Sequence, residues 1–154
     1  MTDFIDAEMA DFLDKTRFIT IDLEIRSDEP LDELYAFLYK RYDCCSRYPP
    51  CKHCPDWFTI ISFTSYEDCN LCIENHCKWL NSMPSDAKSQ WRKAKQRCMN
   101  IGYNTSSKHH AFIQYIRPDL ISQLAKLEMG LAFTLYPIEI ELEESKNLAR
   151  SNKA

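Results

Sequence analysis

The stretch RFITIDLEIRS, Arg17 to Ser27, runs directly into DEPLDELYAFLYKRY, and this pair constrains the fold more than any other part of the chain. The first part alternates. Phe18, Ile21, Leu23 and Ile25 are apolar, with Ile19 and Thr20 blurring the phase, and period two marks a strand with one buried face. The second part sets Leu31, Leu34, Phe37 and Leu38 on one stripe. Pro30 lies near its first helical position, acids fill its first turn, and Lys40 and Arg41 lie near its end, so it reads as a helix. A strand feeding an amphipathic helix buries both apolar faces by packing one on the other, which is the start of a layered fold.

The same alternation continues. Phe4, Ile5, Met9, Phe12 and Leu13 predict a short N-terminal helix over 3–14. DWFTIISFTS is β-branched and aromatic, a strand over about 57–63. Ser65 and Asp68 form a variant capping box before a helix that runs to about Leu80. Pro84 and Ser85 start another, with Ala87, Trp91, Ala94 and Cys98 on its apolar side. NIGYNTSSKHHAFIQYI reads as a hairpin, strands near 100–105 and 109–116 with Ser106 and Ser107 in the turn. Pro118 opens a helix that carries Leu120, Ile121, Leu124 and Leu127 and stops at Gly130. LAFTLYPIEIEL is a last strand, with Pro137 marking a bulge or an edge. Two β–α–β units and a hairpin predict an α+β two-layer sandwich, with a mixed sheet of about five strands and helices mainly on one face. Residues 1–143 form one domain in this reading, and 144–154 a polar tail.

Composition narrows function by exclusion. Only two glycines, Gly102 and Gly130, occur in 154 residues. Neither a dinucleotide fingerprint nor a P-loop can be built from them. No apolar run approaches the roughly 20 residues that cross a bilayer, and the acidic start lacks the basic and apolar regions of a secretory signal. The expectation is a cytoplasmic chain whose eight cysteines are reduced rather than a disulfide framework. Charge is segregated around an overall net of −4: residues 1–39 are strongly acidic, 40–126 net basic and 127–154 mildly acidic.

Taken together, FITIDLEIRSDEPLDELYAFL, the tryptophan-led DWFTIISF, ENHCKWLNSM and the closing LISQLAKLEMGLAFTLYP resemble the bacterial domain of unknown function four-two-seven-nine family. The resemblance runs from about Arg17 to Pro137 and departs in the cysteine loop. It implies a small cytosolic protein, of a kind that includes toxin-immunity proteins, with no activity attached and no functional residue to carry over.

The densest chemistry is CCSRYPPCKHC. Cys51 and Cys54 have zinc-knuckle spacing, and Cys69 and Cys72 repeat it. Geometry separates the two pairs. A strand over 57–63 spans roughly 20 Å at about 3.3 Å per residue. A helix returning at about 1.5 Å per residue comes level with the knuckle only near His76 to Trp79. A zinc site would therefore draw on a subset of Cys44, Cys45, Cys51, Cys54, His76 and Cys77, while Cys69 and Cys72 read as core thiols. Without metal the loop is a reduced segment or a surface redox pair, with Lys40, Arg47 and Lys52 nearby to favour thiolates. The expectation is no cofactor, with zinc as the alternative.

Lys88 to Arg97 holds five cations around Trp91. Trp91 shares its side with Ala87 and Ala94, so it reads as a core anchor under a solvated basic face, and nucleic acid is a poor fit. His109 and His110 are adjacent in a strand reading, so they point to opposite faces and cannot share a site. No nucleophile motif is present. Asp28, Glu29, Asp32 and Glu33 head the first core helix, where they complement its dipole and offer a surface for a basic partner. The sequence therefore favours a non-enzymatic binding protein docking or neutralising a protein, a toxin or another basic protein. A structural zinc module or a thiol redox protein using the 44–54 loop is the alternative.

Overall fold

β1 (Arg17–Ser27) is the centre of the sheet although it is the first strand in the chain. The computed structural model describes residues 15–41, 44–64, 68–106 and 111–137. The N-terminal helix read over 3–14, Ser65, His109, His110 and the tail from 144 lie outside them. α1 (Asp32–Tyr39), β2 (Cys45–Tyr48), β3 (Trp57–Thr64), α2 (Cys69–Asn81), α3 (Ser85–Lys93), β4 (Gln96–Thr105), α4 (Pro118–Lys126) and β5 (Gly130–Pro137) follow in order.

The strands form one mixed sheet in the order β2-β3-β1-β4-β5. β1 is antiparallel to both β3 and β4, β2 is antiparallel to β3, and β4 and β5 are parallel. β1 and β2 are thus parallel with β3 inserted between them, and β3 and β4 are parallel with β1 between them. Both are split crossovers, made by α1 and by α2 with α3. α4 makes the one crossover between adjacent strands. The α+β sandwich with helices on one face is as the sequence predicts.

Alternation places the core. Ile21, Leu23 and Ile25 of β1, Ile61 of β3, and Met99, Ile101 and Tyr103 of β4 point to the helices and are almost fully buried. They meet Leu34 and Leu38 of α1, Ile73, Cys77 and Leu80 of α2, Ala87 and Trp91 of α3, and Leu120 and Leu124 of α4. The helices also lock to each other. The Phe37 and Trp79 rings stack 4.4 Å apart at 7°. The Leu34 N–H, a free donor in the first turn of α1, donates to Gln90 Oε1 on α3 at 2.9 Å. The Trp91 indole donates to Leu127 O at 3.0 Å, so Trp91 is the core anchor its spacing implied.

Four sequence readings change. The helix read from Pro84 through Cys98 ends at Lys93, because Gln96–Thr105 completes the centre of the sheet against β1. Cys98 is therefore a strand residue on the opposite face. The hairpin read over 100–116 does not form, since β4 is one strand and 111–117 has no strand pairing. The hairpin of this fold is β2–β3, and its connection is the cysteine loop. Asp68 is itself the cap of α2, its side chain accepting from the Leu71 N–H at 2.8 Å.

Candidate functional site

In the cysteine loop, Pro49 and Pro50 lead out of β2 into a tight two-residue turn. The Cys51 N–H donates to Cys54 O at 2.7 Å, and the Cys54 N–H donates to Cys51 O at 3.1 Å. This isolated antiparallel bridge leaves Lys52 and His53 exposed at the tip. Cys51 is exposed and Cys54 half-buried. The Cys54 sulfur accepts from Arg26 Nη1 at 3.1 Å, and its S–H donates to Asp56 O at 3.8 Å. Arg26 lies over the Phe58 ring at 4.7 Å, and Phe58 stacks on Tyr48 at 6.3 Å. Register makes this a row, Tyr48 opposite Phe58 opposite Arg26, on the sheet face away from the described helices.

The other proposed metal ligands do not converge on that turn. Cys44 lies at the far end of β2, its S–H donating to Ser62 O at 3.0 Å. Cys45 points into the core, and burial pushes its thiol up to about 11. Burial likewise pushes Cys77 up to about 11. His76 is buried on α2, where desolvation, aided by the Arg41 charge, brings its imidazole down to about 4 and keeps it neutral. Among the described residues no three His, Cys, Asp or Glu side chains gather to hold a metal ion. Cys69 and Cys72 are buried, as their helix-face spacing implied. The Tyr103 hydroxyl donates to Cys69 Sγ at 3.9 Å, and burial pushes that thiol up to about 11.

The acidic cluster meets cations of its own chain. Asp28 pairs with Lys95 at 2.5 Å, Glu29 with Lys93 at 2.9 Å and Asp32 with Arg47 at 2.6 Å. Lys95 also reaches Asp56 at 2.9 Å, and Asp28 and Asp56 together hold its ammonium above the usual lysine value. Arg47 is fixed further by Pro30 O at 3.2 Å and by the Tyr35 and Trp57 rings at 4.5 and 5.5 Å. Among the described residues Glu33 alone of the four acids makes no ion pair. The acids and cations that the sequence separates into two regions are interleaved on this surface.

A second unusual surface lies at the diagonally opposite corner. β5 ends the sheet order, and among the described residues no strand pairs with its outer edge. Phe133 and Leu135 point to the helix-bearing side but are 52% and 61% exposed. Phe112, 41% exposed, packs edge-on against Tyr103 at 4.9 Å, and Phe133 lies 6.4 Å from the same ring. Ile113, next to Phe112, is 88% exposed. Periodicity missed this patch because LAFTLYP has the composition of a core strand. Pro137 was the available signal, since proline belongs at a sheet edge.

The fold is an open-faced α+β sandwich built on split crossovers, with a cysteine turn at one corner and an apolar strand edge at the other. Comparison with family models, with curated proteins and with solved structures finds no match to this chain.

Proposed function

We propose that this chain is a protein-binding module that docks a partner along the outer edge of β5. The observation that carries the reading is the coincidence, among the described residues, of a strand edge with no pairing partner and the exposed side chains of Phe112, Ile113, Phe133 and Leu135. An unpaired edge offers a row of N–H and C=O groups, and folded proteins usually blunt such edges with charge or cover them. Here the edge has neither lysine nor arginine from Gly130 to Pro137. The occupant that fits is an extended segment of another protein, adding a strand to β5 and filling the Phe112–Phe133–Leu135 surface with its own apolar side chains. The acidic cluster is the less suitable dock, because three of its four carboxylates are engaged in ion pairs with Arg47, Lys93 and Lys95. Neutralisation of a toxin-like partner in the cytoplasm is the finer form of this proposal, supported by the family resemblance and by the lack of a catalytic motif in the sequence. No helix among the described residues is long and apolar enough to cross a membrane.

Leu135→Arg and Phe133→Glu test the reading in affinity capture followed by binding measured with the purified captured protein. Both variants should keep the wild-type circular dichroism and lose that protein by at least tenfold in affinity. Undiminished binding by both variants would overturn the docking surface. A partner identified as a second copy, by a concentration-dependent doubling of mass that the variants abolish, would replace a foreign protein with self-association.

A further inference from the structure

We infer that Cys51 and Cys54 form a reversible dithiol–disulfide pair, with Arg26 stabilising Cys54 as the leaving thiolate, separate from the β5 surface. Three observations converge on it. The two cysteines face each other across an antiparallel bridge with both backbone hydrogen bonds made. Such a pair holds its Cα atoms about 5.5 Å apart with both side chains on the same side. That distance falls within the roughly 4.4–6.8 Å range that a disulfide spans. The two sulfurs are also unlike. Cys51 is exposed and open to attack, whereas Cys54 is half-buried and receives a guanidinium N–H at 3.1 Å. Finally, Arg26 is held in place, its guanidinium carbon lying over the Phe58 ring at 4.7 Å.

The partner is a low-molecular-weight disulfide or its thiol. In the oxidising direction Cys51, having given its proton to solvent, attacks one sulfur of RS–SR. The Cys51–SR bond forms, the RS–SR bond breaks, and RS⁻ leaves and is protonated. Cys54 then gives its proton to solvent and, beside the Arg26 guanidinium, attacks Cys51 Sγ. The Cys51–Cys54 bond forms and the second RS⁻ leaves and is protonated. The protein loses two electrons and two protons, and one small disulfide becomes two thiols. In the reducing direction an external thiolate attacks exposed Cys51, and Cys54 departs as the thiolate that Arg26 receives. Stabilising the reduced form makes the pair more easily reduced. The remaining charged or titratable groups at the turn are Lys52 and His53 at its tip and Asp56 beyond it. The five buried thiols, Cys45, Cys69, Cys72, Cys77 and Cys98, are shielded from this exchange.

The test equilibrates the full chain with graded ratios of glutathione and glutathione disulfide, quenches by alkylation, and reads intact mass and peptide maps. The expected product has lost two hydrogens and carries one bridge, Cys51 to Cys54. Arg26→Gln should shift the midpoint about tenfold toward the bridged form, about 30 mV lower in potential, while Arg26→Lys shifts it less. Cys54→Ser should stop at a stable glutathione adduct on Cys51, which keeps the test independent of whether Arg26→Gln folds. An adduct on Cys51 that never closes in the wild type, a bridge to Cys44 instead, or an identical midpoint in folded Arg26→Gln would each overturn the inference.

Discussion

Substitution of Gly102 by alanine puts the register of the central strands to a direct test. Gly102 opposes Thr20 where the β1–β4 pairing shifts between Phe18 and Thr20, so Ile19 and Thr20 crowd against one residue of β4. A Cβ at Gly102 would lie 2.7 Å from Thr20 Cγ2, 3.2 Å from the Tyr136 ring and 3.5 Å from Ile19 Cγ1. Two effects compete. Alanine in a strand interior gains roughly 0.5–1 kcal/mol over glycine from chain entropy. Overpacking a well-filled site costs about 1–3 kcal/mol, and Thr20 is too short and too stiff to retreat cheaply. Gly102→Ala should therefore lose about 1–2 kcal/mol, read as a lower urea midpoint at unchanged m-value. Thr20→Ser removes the methyl in the way, so the double variant should regain about 1 kcal/mol relative to additivity. Gly102→Ala as stable as the wild type, or strict additivity with Thr20→Ser, would refute the crowding and with it the bulge that produces it.

Other outcomes follow from the packing. Arg97 seals the end of the core, donating to Trp91 O, Ala94 O and Glu128 O and pairing with Glu128 Oε2 at 3.0 Å, so Arg97→Met should cost about 2–4 kcal/mol in denaturant melts. His76 is held neutral with its folded value at about 4, below the unfolded value near 6.5. Its contribution is complete above about pH 6.5 and is lost as pH falls toward 4, up to about 3 kcal/mol, and His76→Gln should flatten that limb of the stability–pH curve. Native alkylation followed by peptide mapping should label Cys44 and Cys51 first and Cys54 more slowly, sparing Cys45, Cys69 and Cys77 until the chain unfolds.

Local pattern revealed the elements whose cause is local. β1, β3 and α1 carry their periodicity and end signals in their own residues, and the sequence places each of them. α4 is placed by its stripe and Pro118, but its stop is not Gly130, because the helix ends at Lys126, Glu128 takes the left-handed conformation, and Gly130 already opens β5. What it hides depends on distant partners. β2 is a four-residue strand inside a cysteine-rich loop, and only pairing with β3 makes it one. Ala87, Trp91, Ala94 and Cys98 keep helical spacing, yet from Gln96 onward the ladder to β1 outweighs it. The separation of Cys51–Cys54 from Cys69–Cys72 was legible, because strand length and helix rise alone set it. The pairing of Asp28, Glu29 and Asp32 with Lys95, Lys93 and Arg47 was not, since those cations arrive from α3, its following loop and β2. The Arg26 contact to Cys54 was hidden for the same reason, joining the central strand to a turn 28 residues later in the chain.

The position of β1 also sets a kinetic expectation. Its pairings run from Ser27 with Trp57, the nearest in sequence, to Arg17 with Asn104, the farthest. The apolar side of β1 is translated early and waits for β3, then for β4, before both of its edges are closed. Chains dominated by such distant pairings pay loop-closure entropy before the contacts that reward it, and fold in milliseconds to seconds rather than microseconds. Until β4 arrives, a growing chain carries Ile21, Leu23 and Ile25 on a strand with one open edge, which is the interval when it is most exposed to aggregation and most dependent on chaperones.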